Sequence, residues 1–390
     1  MTKNFAVLFS ILLFAVGCAE KPKSVGNGLP NVDGIFTIAD TVLYSFNDTT
    51  YRVSFSAGFG TSNLTGRISA TEELITLLNF IPNTRIDSLR GAVIDTAELR
   101  LIVNYRYFPQ TPPIRFDIIE IQKSWAQSTF TKDSLPFLTF GTKVLGTFAD
   151  SMNYLSTVKA LLDTVEVRKW ADSHNDTTAP DFFGFALQAQ PGANTGVIGF
   201  STLSNYSTYA PQLFIRFTRN GRKDSLTFAS GEDTYVSKYT GPTTVNPLMV
   251  HGAFGVRSKI HFNTASLKNN PIINNATLQL TLDTVASSIY GYSPDTVIAL
   301  IGMSGTTLDQ SDSTIYTYGY RSSVDSNMFP VYTFNLTKIT DRWVRYVNPN
   351  FGLTLRWGVE YSTAEKAVFF SSAAADTTVR PRLKIIYSKK

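Results

Sequence analysis

The chain repeats itself, and that limits its possible folds more than any other feature. Near its end it reads PRLKIIY (Pro381–Tyr387), and PQLFIRF (Pro211–Phe217) stands 170 positions earlier. Five further blocks recur in the same order. LLNF (Leu77–Phe80) faces KIHF (Lys259–Phe262), and IDTAELRL (Ile94–Leu101) faces INNATLQL (Ile273–Leu280). VKALLDTVEVRKW (Val158–Trp170) faces VYTFNLTKITDRW (Val331–Trp343). FGFAL (Phe183–Leu187) faces FGLTL (Phe351–Leu355), and GFST (Gly199–Thr202) faces FFSS (Phe369–Ser372). The spacing drifts by a few residues from block to block, as expected of one module duplicated with loops of unequal length.

Each block has a physical reading. AELRL and ATLQL alternate apolar and polar residues, which buries one face of a strand and wets the other. PQLFIRF and PRLKIIY open on proline, tolerated as a strand's first residue. The glycine of FGFAL and FGLTL marks a bulge or a close approach of neighbouring backbone. Between strands the spacing predicts one short helix per copy, with Thr164 and Thr337 as N-caps. Val167 and Trp170, or Ile339 and Trp343, then share a buried face, each Trp plugging a core. The 28 Phe and 18 Tyr favour strands. The expected fold is all-β: two tandem antiparallel β-sandwich, jelly-roll-like domains at residues 36–218 and 225–388. RNGRKDS (Arg219–Ser225) is the expected polar joint between them.

The order A-x-L-x-L, V-x-x-W, F-G-x-x-L, F-S-S, P-x-L-x-I-x-Y resembles that of DNRLRE-type β-sandwich domains. The resemblance runs from about Asp40 to Phe217 and again from about Asp233 to Tyr387. It implies a secreted or surface-attached bacterial protein. Some relatives are carbohydrate-binding modules for acidic or plant-like polysaccharides.

The N-terminus agrees with export. Lys3 precedes an uncharged run, Phe5–Gly17, too short for a membrane span but suited to a signal peptide. Ala15-Val16-Gly17-Cys18 resembles the lipobox of bacterial lipoproteins and contains the only cysteine of the 390 residues. The resemblance implies cleavage after residue 17 and acylation (palmitate included) of Cys18. Two or three acyl chains hold a membrane where one does not. Residues 18–35, rich in Lys, Pro, Gly and Asn, read as a flexible tether. With Ala19 after the cysteine, the expected address is the outer membrane of the cell envelope.

Chemistry is sparse. Hydrophobic residues at 43% exclude disorder, and a formal charge of +5 with scattered basic residues gives no nucleic-acid footprint. Of three histidines, His261 reads as a wet strand residue, His251 as a turn residue beside Gly252, and His174 as a loop residue between Asp172 and Asp176. None has the paired spacing of a zinc site. There is no G-x-S-x-G elbow or phosphate-cradling loop. Glu98, which a glycosidase could use, faces no carboxylate in the second copy. No catalytic residue, metal or cofactor is expected. The expected function is a non-catalytic structural, adhesion or interaction module partnered by the membrane and an envelope protein. The alternative is a surface polysaccharide-binding lipoprotein using tyrosines placed in loops: Tyr105 and Tyr107, Tyr290 and Tyr292, and Tyr316, Tyr318 and Tyr320. The last three, at spacing two, would share one side of a strand.

Overall fold

The computed structural model describes residues 37–107, 114–150, 155–192, 195–204, 209–240, 248–267, 271–290, 296–325 and 329–389. Cys18, the tether and Tyr292 lie outside them. The described chain is all-β with antiparallel sheets and two short α-helices.

In the first half the strands are β1 (Thr37–Arg52), β2 (Ser62–Ser69), β3 (Glu72–Phe80), β4 (Val93–Tyr107), β5 (Ile114–Ile121) and β6 (Phe140–Asp150). β7 (Thr157–Leu162), helix α1 (Thr164–Asn175), β8 (Phe185–Ala189), β9 (Gly196–Ser201) and β10 (Gln212–Arg219) follow. The long β11 (Arg222–Tyr239) comes next. The second half holds β12 (Leu248–His251), β13 (Val256–Phe262), β14 (Ile272–Thr281), β15 (Thr296–Gly302) and β16 (Ser311–Val324). It closes with β17 (Pro330–Asn335), helix α2 (Thr337–Val344), β18 (Leu353–Trp357), β19 (Lys366–Phe369) and β20 (Arg382–Lys389).

The strand pairings repeat as the sequence does. β4 lies between β10 and β7, as β14 lies between β20 and β17. β8 joins β3 to β5, as β18 joins β13 to β15. β2 joins β3 to β9, as β12 joins β13 to β19. Even the contact of Val103 with Phe200 recurs, as an isolated bridge between Leu282 and Phe369. The repeated glycines explain themselves. A Cβ on Gly184 would fall 2.2 Å from the Leu78 carbonyl oxygen, and one on Gly352 would fall 2.4 Å from that of Ile260. Both glycines adopt positive φ, at 109° and 82°.

The expected domain boundaries do not match the sheets. β1 lies at the head of the chain yet pairs with β20 and β13, in the sheet of the second half. Its counterpart β11 pairs with β10 and β3, in the sheet of the first. The two copies have therefore exchanged their first strands. Both strands carry the same bulge: Ser45 Oγ donates to Asp48 Oδ2, and Ser230 Oγ to Asp233 Oδ2, each at 3.0 Å. Asp48 also accepts from the Ser372 N–H, as Asp233 does from that of Leu203. The stretch Arg219–Ser225 is not a joint between domains. Asn220 and Gly221, at φ 51° and 74°, form the tight hairpin turn that folds β11 back onto β10. An Asn-Gly pair between alternating runs is the usual sequence for that turn.

Hydrogen bonding closes the second sheet into a ring of eight strands, β1-β20-β14-β17-β16-β15-β18-β13, with β13 back on β1. In the first copy the equivalent ring stops between β6 and β7. There the Asp163 N–H donates to the Leu145 carbonyl at 2.7 Å, but no ladder forms among the described residues. Each copy buries its own apolar core. Trp170 with Val167 plugs one, and Trp343 with Ile339 the other. The caps sit one residue from their expected places. Asp163, not Thr164, accepts from the Val165 N–H at 2.8 Å, while the Thr337 hydroxyl accepts from the Ala276 N–H at 3.0 Å.

A third core joins the copies, with Leu64, Leu74, Tyr105 and Tyr235 from one side and Phe254, Val256 and Ala364 from the other. Arg52, at the crossover out of β1, ties the seam. Its guanidinium donates to the carbonyls of Phe254, Tyr239 and Ser237 and to the Ser237 hydroxyl.

Candidate functional site

β16 is a strand and not a loop, and its alternation sends Tyr316, Tyr318 and Tyr320 to the outer face of the ring. All three are between 43% and 57% exposed. The rings of Tyr316 and Tyr318 meet edge-on at 5.4 Å, and those of Tyr318 and Tyr320 lie tilted at 6.3 Å. The inner position between the last two is Gly319, where a Cβ would fall 2.2 Å from the Phe334 ring. Only glycine fits there without displacing the Phe334 ring.

Cross-strand register builds the floor. Tyr316 stands opposite Leu300, Tyr318 opposite Ile298 and Tyr320 opposite Thr296 on β15. Ile298 and Leu300 are buried although they face outward. On β18, Arg356 continues the Tyr318 row and Thr354 the Tyr316 row. Arg356 lies 3.9 Å from the fully buried Glu360 carboxylate, which takes two bonds from Arg257, at 2.9 and 2.7 Å. Asp309 accepts a third bond from Arg257 at 2.8 Å. Burial would lower the pKa of Arg257, but its pairing with Glu360 more than reverses this and raises it. The fork is thus fixed in its charged form. The Tyr318 hydroxyl is raised above its ordinary pKa, first by its hydrogen bond with Tyr316 and then by that neighbour's charge. The Tyr318 hydroxyl therefore stays a neutral donor and acceptor at physiological pH. Beside Tyr316 the face drops into a cleft of about 580 Å³, lined by Thr314, Thr317, Asn335, Thr337, Lys338 and Arg345.

The remaining candidates part company with this face. Tyr105 and Tyr107 are not in an exposed loop. They end β4, and at 3% and 2% exposure they belong to the seam between the copies. The Tyr105 hydroxyl accepts from the Ala364 N–H at 2.9 Å, and Tyr107 meets the Tyr290 ring edge-on at 4.8 Å. Burial pushes both of these hydroxyls above the ordinary tyrosine range. They cement the copies, and a ligand cannot reach them. Tyr290 is 41% exposed but is committed to Tyr107. The sequence offered only a polar flank after YRYFP, and nothing local revealed that a second copy would cover it.

His251 and His174 also depart from expectation, while His261 keeps its expected strand. His251 is buried at the end of β12, its Nε2 3.1 Å from the Ala364 carbonyl oxygen, and burial lowers its pKa to about 3. Glu72 lies 3.8 Å from its Nδ1, beyond hydrogen-bond reach, so desolvation prevails. His174 is in the last turn of α1, against Trp170 at 5.4 Å. His261 is half-buried on β13. Sequence reasoning overlooked Arg356, Ile298 and Leu300. One available signal was TVIALIG, an unbroken apolar run, which marks a strand covered on both faces.

Neither the protein-family models nor the curated proteins yield a match to this chain.

Proposed function

We propose that this chain is a lipid-anchored protein of the bacterial envelope that works by binding and not by catalysis. In this reading, Cys18 carries the lipid, and the two repeats are jelly-roll-like β-sandwich domains of the DNRLRE type. The binding face is the Tyr316–Tyr318–Tyr320 row, and its ligand is a polysaccharide. One observation carries the proposal: three half-exposed tyrosines stand in line on a rigid strand. Each ring offers an apolar face to the C–H face of a sugar and a hydroxyl to its polar rim. Arg356, two strands across from Tyr318, and the cleft beside Tyr316 supply further donors around the row. A platform on a strand is better held than one on a loop, as a binding site requires.

Affinity electrophoresis against a panel of envelope and extracellular polysaccharides tests the face. The proposal expects at least one polymer to retard the protein. Each of Tyr316→Ala, Tyr318→Ala and Tyr320→Ala should weaken binding by roughly tenfold, the scale of a lost aromatic contact with its hydroxyl. Binding unchanged by the triple variant would end the reading. A structural or adhesion role through an envelope protein is the competing outcome, and cross-linking in intact cells that depends on the same tyrosines would favour it. Mass spectrometry of the mature N-terminus tests the anchor, which requires an acylated Cys18 as first residue.

A further inference from the structure

The exchanged strands leave each sheet with one half-paired edge. On β1, residues Thr37–Tyr44 pair with β20 on one side, and β13 takes up the other side only from Ser45 onward. Among the described residues no strand pairs with that second edge of Thr37–Tyr44. The counterpart in the first copy is Arg222–Ala229 of β11, which pairs with β10 alone until β3 joins at Ser230.

The two edges are guarded very differently. The β11 edge carries Arg222, Lys223 and Asp224 and is tied down from the side. Arg85 pairs with Asp224 at 3.5 Å. Charges of this kind keep an edge from accepting a further strand. The β1 edge reads TIADTVLY, a run of high strand propensity with Asp40 as its one charge. Ile38, Val42 and Tyr44 on it are 72%, 42% and 52% exposed. Ile386 of β20 and Ile272 of β14 extend the apolar surface behind them.

We propose that Thr37–Tyr44 is the contact through which two copies of this chain pair, β1 against β1, in a two-fold antiparallel joint. The strand's own sequence argues for a second copy. With Thr41 on the axis, Ile38 stands opposite Tyr44 of the other copy, twice over, and Asp40 stands opposite Val42. Aromatic against β-branched is among the favourable cross-strand pairs. This register also keeps the two Asp40 carboxylates from facing each other. Isologous pairing satisfies at once the backbone groups of that edge that have no strand partner among the described residues, and its symmetry closes the assembly at two. The inference stands apart from the polysaccharide reading, since the tyrosine row lies on β16 and takes no part in the joint.

Light scattering on the full chain in detergent, with detergent mass separated from protein mass, tests the joint. The expected protein mass is twice that of one chain. Val42→Lys, at an exposed position, should halve it and leave a melting temperature that no longer rises with protein concentration, as should Ile38→Lys. In a Cys18→Ser background, Thr41→Cys should give a disulfide-linked dimer on mild oxidation, which Cys18→Ser alone cannot form. One chain's mass at all concentrations would overturn the proposal, as would a dimer indifferent to Val42→Lys or a Thr41→Cys variant that fails to cross-link. A monomer whose Ile38→Lys variant loses affinity for phosphatidylethanolamine–phosphatidylglycerol vesicles would assign the surface to the membrane, overturning it too.

Discussion

The two copies share a strand-pairing scheme almost bridge for bridge, yet their outer faces have diverged. Strand register sets Val144, Thr147 and Ala149 of β6 where β16 has Tyr316, Tyr318 and Tyr320. It also sets Gly66 where β12 has His251. The strand pairing and the tryptophan-plugged cores have been kept, whereas the outer face and, at His251, the buried seam have changed. Pairing and core are shared by every neighbour in a sheet, so one change there disturbs many contacts, whereas an outer position answers only to what touches it. The difference locates specialisation in the second copy, on the closed ring, and leaves the first copy as its partner across the seam.

The largest effect should come from the feature that both copies retain. Trp170→Ala and Trp343→Ala each empty a core and should each lower stability by about 3–5 kcal/mol, read from denaturant unfolding. The milder Trp→Phe pair sharpens the comparison. Trp170 Nε1 donates to the Phe80 carbonyl at 3.3 Å, while Trp343 Nε1 has no partner among the described residues. Trp170→Phe should therefore cost more than Trp343→Phe, by about 1 kcal/mol.

Next in size is the transfer of the face. Val144→Tyr, Thr147→Tyr and Ala149→Tyr together should build a second row on β6. If the tyrosines suffice, this row should restore polysaccharide retardation to the Tyr316, Tyr318 and Tyr320 triple-alanine chain. Failure to restore it would show that the floor of β15 and Arg356 is needed as well.

Acid should act on the second copy. An unfolded histidine takes up a proton below about pH 6.5, while buried His251 resists until about 3. Between those values the unfolded chain binds more protons, so stability falls as the pH drops, by up to about 1.4 kcal/mol per pH unit. His251→Phe should flatten that part of the stability profile. The first copy, with Gly66 at this place, contributes no such slope. Tyr105→Phe leaves the Ala364 N–H buried without its acceptor and should cost about 1–3 kcal/mol across the seam.

Much of this was legible in sequence, for identifiable reasons. Alternation in AELRL and ATLQL reports burial directly, and each became a core strand with Ala97 and Leu99, or Ala276 and Leu278, inside. Gly184 and Gly352 answered to backbone approach, which no other residue permits. The spacing of Tyr316, Tyr318 and Tyr320 foretold their common face. What failed was the assignment of β1 and β11 to a copy. β1 and β11 have nearly interchangeable roles, so local pattern cannot say whose sheet each completes. Tyr105 and Tyr107 failed for the same reason, because their cover comes from residues more than 180 positions away. Asn220-Gly221 is itself a hairpin-turn signal, and β10 and β11 flank it as one antiparallel pair rather than as two domains.

Strand exchange, with Arg52 and the shared core across the seam, should make the two copies melt as one body. Differential scanning calorimetry of the parent chain beside Trp170→Ala and Trp343→Ala tests this most directly. The account predicts one transition, lowered as a whole by either substitution. Two separate transitions, each moved only by the tryptophan of its own copy, would contradict it.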